Sequence, residues 1–498
     1  SMTGTHGDGP RTWSRVDASS VFARAFTKLR GTRVELQGTH YDAPRAENTG
    51  ALTSAELSRD PSLPDSLNLR KHSRKAVRQS QLAVIVSRPQ GANEWTASAF
   101  TSSRLLDNPL PFAVVEVDRN VAGASLRVTR RIAGLSWPVR VTVGADFQRQ
   151  DDDRFNYENC ADVPLATPVS VRCPKQGVER GAIRLDQREL VNGTGVFGRA
   201  ELEAPGNVLA SVAMRYDRVS FSVDDHFVTS TNLDDSGDRA LEATSPMVAL
   251  VWRVTPLFSI YANGARAFET PTVTELTNQD NGAAGLNRTL APQRTATVEV
   301  GMQAIAASRV RIDIAAFRAR VRDELVPFDV PNAPGRRAFR NAGKTSRSGV
   351  ELGLNATPGI ASVGVGYTYS KFRFDEYVVS TRDFAGKAIP GIPEHALQAY
   401  ATVQGRGLFG TAEVSSAARS SADDGATVFS AGYAVWTVRA GYRGALFDGR
   451  FMLEPLAGVE NLFDRRYASS VVVNATRSRY FEPGGERRAY VGLRLVAR

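Results

Sequence analysis

Two cysteines and five histidines are all that this chain of 498 residues holds of the side chains best suited to soft metals, and aromatics make up only 8%. None of the histidines (His6, His40, His72, His226, His395) has a second one at the i, i+4 spacing of a zinc-binding helix. No Gly-x-Ser-x-Gly elbow occurs. The acidic runs Asp151–Asp153 and Asp234–Asp235 could imitate a carboxylate pair, but such runs more often solvate a loop or hold a divalent cation weakly. Catalysis is not supported, and no cofactor is expected. Apolar runs long enough for a membrane helix, about 18 residues, are missing too. The mean hydropathy of −0.25 does not exclude a membrane protein crossed by strands, in which only alternate residues meet lipid.

Charge is the one bulk excess: 62 Lys and Arg against 52 Asp and Glu, a net +10. A nucleic-acid partner would suit that balance, yet the arginines are spread along alternating segments instead of gathered in one patch. Zinc-finger spacing, RNP-like sequence and Gly-rich phosphate loops are all lacking. Nucleic acid is therefore not expected as a partner.

Alternation is what the chain has in abundance. Val139, Val141, Val143, Ala145 and Phe147 oppose Arg140, Thr142, Gly144, Asp146 and Gln148; Ala122, Ala124, Leu126 and Val128 oppose Gly123, Ser125, Arg127 and Thr129. A period of two marks a strand with one apolar face. About nineteen such segments of roughly ten residues follow one another, joined alternately by short and long connections. The short turns include Thr255-Pro256, Thr357-Pro358-Gly359, Gly405-Arg-Gly407 and Phe447-Asp448-Gly449. The long loops are expected near 42–75, 102–116, 150–190, 227–244, 268–292, 323–345, 374–394, 418–431 and 468–486. Any one segment could belong to a soluble sandwich; the rhythm favours an all-β, antiparallel up-and-down transmembrane β-barrel, with the long loops on one side. One segment breaks step, with apolar residues at even positions over Val310–Ile314 and at odd ones over Phe317–Val321. A bulge near Ala315-Ala316 would restore one face, but a strand rising beyond the membrane is the preferred explanation.

The closing segment is specific. Asn461-Leu-Phe-Asp464 with Tyr467, then Phe481-Glu-Pro-Gly484 and an alternating last strand, resembles the end of TonB-dependent outer-membrane receptors, the bacterial importers of ferric siderophores, haem and cobalamin. Tyr261 to Phe268-Glu-Thr-Pro271 and Glu275-Leu276 is similar to a mid-barrel segment of the family, followed in order by Asn287-Arg-Thr-Leu290-Ala-Pro292 and Val298-Glu-Val-Gly301. Asn341-Ala-Gly343 through Arg347-Ser-Gly349-Val-Glu351 and Met214-Arg-Tyr-Asp217 match two further segments. The resemblance implies the 22-stranded barrel fold, a bacterial outer-membrane location, and energy delivered by TonB through a plug domain. All of residues 1–498 is then expected to be barrel. Nothing resembles a plug, a TonB box or a signal peptide, and Gly7 to Ser14 resembles the outer loop before the family's fourth strand. The plug and the first three strands are therefore expected to lie outside this chain, leaving the last strand, near 488–497, without a neighbour among residues 12–27.

On this resemblance the surplus positive charge would face outer-membrane lipid and lipopolysaccharide outside, or anionic cargo inside, or a missing acidic domain. Haem is disfavoured, because no histidine lies between Phe268-Glu-Thr-Pro271 and Asn287 to serve as axial ligand. A ferric siderophore or similar iron chelate fits better: its iron is already wrapped, so recognition needs cationic forks and aromatic faces. Tyr41, Arg154, Tyr157, Arg336, Arg337, Tyr377, Arg479 and Tyr480 are the candidates, each of which could equally be an ordinary loop residue. Cobalamin, oligosaccharide or passive porin-like transport remain alternatives. In an exported protein the nearby Cys160 and Cys173 read as a loop disulfide, against the alternative of two free thiols.

Overall fold

The computed structural model describes the chain apart from residues 135, 164–169, 176, 231, 278, 280–284, 308, 330–336, 342, 380, 447–450 and 498. Among the described residues one antiparallel sheet of 21 strands dominates, and with one interruption each of its strands pairs with the next one of the sheet along the chain. Tyr433–Tyr442 and Gly444–Leu446 both pair with Phe451–Glu460, so they form one interrupted strand and the sheet has twenty staves. Among the described residues helix is limited to three elements of five or six residues and one 3-10 turn. This matches the expected architecture, with one more strand than the reading of about nineteen. The short polar strand Met2–Gly7, paired with Val16–Leu29, carries too little apolar contrast to be counted from sequence.

The turns on one side are as tight as the sequence implies. Arg30-Gly31 and Arg406-Gly407 each place two successive residues at positive φ. That is the type I′ geometry whose twist suits a two-residue hairpin, with glycine at the second position. On the other side strands climb further than expected. Residues 102–116 are not a long loop: Asn93–Leu110 and Ala113–Ile132 stay paired up to a turn at Pro111-Phe112. Val139–Asn159 and Arg180–Ala204 likewise shorten the loop expected over 150–190. The turn Phe447-Asp448-Gly449 lies outside the described residues.

The segment that breaks step has no bulge. Val310–Arg322 keeps an uninterrupted register with both Gln293–Ala306 and Lys344–Ala356. Its even residues stay on one face throughout, so Phe317, Ala319 and Val321 face inward and Arg318, Arg320 and Arg322 outward. The expected strand rising past the apolar zone is what the register gives.

Two faces can be followed around the whole sheet. One bears Val143, Val196, Val212, Val248, Val298, Val350, Trp436 and Val491, all more than a third exposed. The other bears ion pairs such as Arg215 with Asp146 and Asp217, Arg24 with Glu35, Arg140 with Glu201, and Arg443 with Glu454. As expected, Val143 belongs to the first face and Arg140 and Asp146 to the second. The sheet is rolled with the charged face inward, because residues near its two ends meet: Leu52 and Phe481 exchange backbone hydrogen bonds of 2.7 and 3.0 Å. The last strand, Arg488–Ala497, pairs only with Phe451–Glu460, and no bond to residues 12–27 occurs among the described residues.

Seven inward aromatics lie directly across from a glycine on the neighbouring strand: Phe100 on Gly123, Phe197 on Gly144, Tyr261 on Gly301, Phe317 on Gly349, Tyr400 on Gly364, Phe409 on Gly441 and Tyr490 on Gly458. A Cβ added at any of these glycines would lie 2.1–2.7 Å from the nearest ring atom, Tyr400 making the tightest case and Phe317 the second contact with Gly349. Each ring therefore covers bare backbone instead of standing into the lumen.

Candidate functional site

The loop side of the barrel is where residues from distant parts of the chain converge. Loop 268–292 turns inward. A Thr272–Glu275 capping box starts the helix Val273–Thr277, and Leu276 and Leu290 are completely or almost completely buried. They pack with Val273 and Leu286 against Phe221, Val223 and Leu241 of the inner wall. Arg239, also inward, donates to the carbonyls of Asn287 and Leu290. The Asn341 amide brackets Ala291, donating to its carbonyl at 2.8 Å and accepting from its N–H at 2.6 Å. The family-like motifs are thus loop anchors. Gly343 and Gly484 belong to the same class: a Cβ on Gly343 would fall 1.4 Å from the Glu376 carbonyl oxygen, and one on Gly484 2.1 Å from the Tyr467 ring.

Beneath these loops a polar row runs along the inner wall. Ser20, Tyr41, Gln79, Arg104, Arg119, Asp152 and Glu189 are direct cross-strand partners in succession. Arg119 forks onto the buried Asp152 with contacts of 2.6–3.1 Å, and Gln150 adds a donor at 3.0 Å. Arg154 approaches Glu189 at 3.4 Å and donates to Thr274 of the inserted loop. Among the described residues Arg104, unlike these two, makes no ion pair; its Nε, like that of Arg154, is buried without a hydrogen-bond partner. Like charges directly opposite on paired strands repel, so Arg104 facing Arg119 raises the local positive potential. The sequence does not single out Arg104, because the loop expected over 102–116 covers it. The alternation Phe100, Ser102, Arg104, Leu106 was the available signal.

The eight candidates read from sequence do not form one cluster. Tyr41 stands in the polar row, 40% exposed toward the lumen. Arg154 is engaged within the wall, and Tyr157 falls by register on the outward face, the opposite one from Arg154. Tyr377 is buried, packed at a tilt against both Phe374 and Phe384, with its hydroxyl donating to Asp424 at 3.2 Å; Asn474 donates to the same carboxylate oxygen at 2.9 Å. Burial pushes the Tyr377 hydroxyl up to about 12 and the Asp424 carboxyl above its ordinary range. Arg479 grips Glu56 and the Ala51 carbonyl, next to Tyr480 and Phe481. Arg336 lies outside the described residues, as does the side chain of Arg337. The expected disulfide is formed: Cys160 and Cys173 are bonded, with Cα atoms 5.9 Å apart, in the loop between Val139–Asn159 and Arg180–Ala204.

Solved structures share this architecture. The ferric citrate transporter FecA in its unliganded form superposes with a TM-score of 0.81 at 16% identity, covering 99% of this chain and 72% of its own. The siderophore receptor PiuA from Acinetobacter baumannii gives 0.77 at 17% identity, covering 99% and 76%. The copper transporter OprC gives 0.74 at 16% identity, covering 99% and 75%. At such identities the likeness is one of fold. The family model described as TonB dependent receptor-like, beta-barrel, matches residues 3–462. With that match over most of its length, the chain belongs to the TonB-dependent receptor β-barrel family, whose members are transport receptors and not enzymes.

Proposed function

We propose that this chain is the barrel of a bacterial outer-membrane receptor for an anionic iron chelate of the ferric siderophore or ferric citrate type. The observation that carries the reading is the inner polar row under the loops, where Arg104 presents a guanidinium without a carboxylate beside Tyr41 and Gln79. A wrapped ferric complex offers carboxylate or catecholate oxygens and no open metal site, so a free fork flanked by a phenol and an amide suits it. Tyr41 and Arg104 sit two strands apart, about 10 Å at the usual strand spacing, which spans a bulky chelate. Arg336, Arg337 and Tyr480 are proposed to complete the contacts from the loops. Arg154, Tyr157, Tyr377 and Arg479 are proposed to hold those loops in place, since three of them already have partners in the wall or between loops. Uptake would draw on TonB through a plug, and residues 1–498 would serve as the barrel domain.

The test is binding of ferric citrate and of a ferric tris-catecholate to the folded full chain in detergent, by intrinsic fluorescence quenching. Arg104→Ala should weaken one of them by about tenfold, and added salt should shrink the difference. Equal binding of both chelates by the two proteins at low salt removes Arg104 from the site. Tight binding of cobalamin or a neutral sugar in place of either chelate overturns the substrate class.

A further inference from the structure

The inner polar row carries its charges in an order that limits what it can hold. At its height, over the four strands from Asn93–Leu110 to Arg180–Ala204, the inward side chains include the guanidiniums of Arg104, Arg119 and Arg154 and the carboxylates of Asp152 and Glu189. Both carboxylates are buried, at 1% and 4% exposure. Arg119 lies on Asp152 with contacts of 2.6–3.1 Å. Arg154 lies on Glu189 at 3.4 Å, where Gln187 adds a donor at 2.5 Å. One positive charge, that of Arg104, is left over.

That leftover charge sits between unequal neighbours. Directly across on one strand is Gln79, a neutral amide; across on the other is Arg119, whose guanidinium is already held by a carboxylate. A carboxylate in place of Gln79 would do for Arg104 what Asp152 does for Arg119. Asp152 itself stands two strands from Arg104, about 10 Å at the usual spacing, within range of its field in a half-buried site. Asp152 therefore acts twice. It cancels Arg119, and it repels negative charge beyond what Arg104 can match. A polyanion seated on the row would take charges out of water that no cation there offsets, and burial of that kind is costly.

We infer that Asp152 sets the charge class of the cargo, restricting the row to chelates with a single net negative charge. This rests on the iron-chelate reading above and narrows it. The favoured cargo is a ferric complex whose ligand oxygens neutralise the metal and leave one carboxylate to meet the Arg104 fork. A triply negative tris-catecholate complex is disfavoured. Asp152 touches no cargo; it is a positioning residue that works through Arg119 and through space. Removing its charge while keeping its shape frees the Arg119 guanidinium, beside Arg104 at the roughly 5 Å spacing of direct cross-strand partners, and makes a two-cation site suited to more highly charged complexes.

The test titrates three ferric complexes of fixed charge against the folded full chain in detergent, by intrinsic fluorescence quenching. They are a neutral tris-hydroxamate, the singly negative complex of ethylenediaminetetraacetate, and the triply negative tris-catecholate. The unaltered chain should bind the singly negative complex tightest. Asp152→Asn should move the affinity ratio of the other anion to it by about tenfold in favour of the tris-catecholate, and added salt should shrink that shift. Gln79→Glu tests the same rule without disturbing the Arg119–Asp152 pair: it should cut the preference for the singly negative over the neutral complex by about tenfold. Asp146→Asn, which removes a carboxylate from the Arg215 pair lower on the same wall, is the control and should move neither ratio. Failure of the unaltered chain to bind any of the three complexes would overturn the iron-chelate reading itself. Binding with ratios that Asp152→Asn and Gln79→Glu leave in place, or that Asp146→Asn moves equally, would overturn the charge rule alone.

Discussion

Arg479 and Glu56 stand 423 positions apart in the chain and meet through two hydrogen bonds of 2.9 and 3.0 Å. Glu56 closes the capping box of the helix Ser54–Arg59, and the neighbouring Asp65 caps Ser66–Arg70 while receiving Arg477 at 3.0 Å. One guanidinium pair thus ties the loop after the strand Thr32–Glu47 to the loop before the last strand. Arg479→Ala should release both loops, costing about 3 kcal/mol or less, since Arg477 stays on Asp65. Hydrogen exchange over 48–73 and 468–486 should accelerate together. Acceleration on one side alone would show that the two loops are held independently.

Gly343 has a positive φ of 62° and no room for a methyl group against Glu376. Gly343→Ala should destabilise by about 3 kcal/mol through combined backbone strain and overlap. A lowered denaturant midpoint would record it. Gly366→Ala, whose nearest neighbour to a new Cβ is 4.0 Å away, is the matched control and should change little.

The Tyr377–Asp424 contact should respond to pH at both ends. Burial raises Asp424 above its ordinary 3.8, so its contribution to loop closure is full below that value and declines as pH rises through the raised one. Tyr377, raised from 10.0 to about 12, contributes fully below pH 10 and is lost toward 12. Exchange rates in the loops 374–394 and 418–431 should therefore rise in two separate steps. Tyr377→Phe should abolish the alkaline step and Asp424→Asn the acid one. A single step surviving in both variants would mean that neither group controls closure.

Reduction of Cys160–Cys173, separated by 13 residues, should cost roughly 3 kcal/mol in loop-closure entropy. The effect should be confined to the loop between the strands Val139–Asn159 and Arg180–Ala204. Protease cutting there after reduction, with the barrel resistant, is the expected record. Labelling of the unfolded, unreduced protein should find no thiol.

Much of the barrel was legible because its middle is amphipathic: Val139 to Gln148 states both faces residue by residue. Legibility fades where strands climb past the apolar belt, since both faces are then polar and a period of two leaves no contrast. That is why 102–116 read as loop, Met2–Gly7 went uncounted and Arg104 was missed. The motifs were legible as a family signature but not as anchors. Arg239 reaching the Leu290 carbonyl, and Arg479 reaching Glu56, join residues whose separation leaves no local trace. Among the candidate site residues, Tyr41 differed from Arg154 and Tyr377 only in what surrounds it, which no local pattern encodes.

The glycine-backed rings have a consequence for traffic through the lumen. At these seven places the bulky side chain lies tangent to the tube, and the bore there is set by the backbone it covers. Such a bore is also one methyl group from obstruction at seven places. Gly144→Ala would tip Phe197 inward as a baffle, and Gly364→Ala would do the same with Tyr400. At these seven places the width of the passage is written in glycines on the neighbouring strands, not in the aromatic residues that would do the blocking.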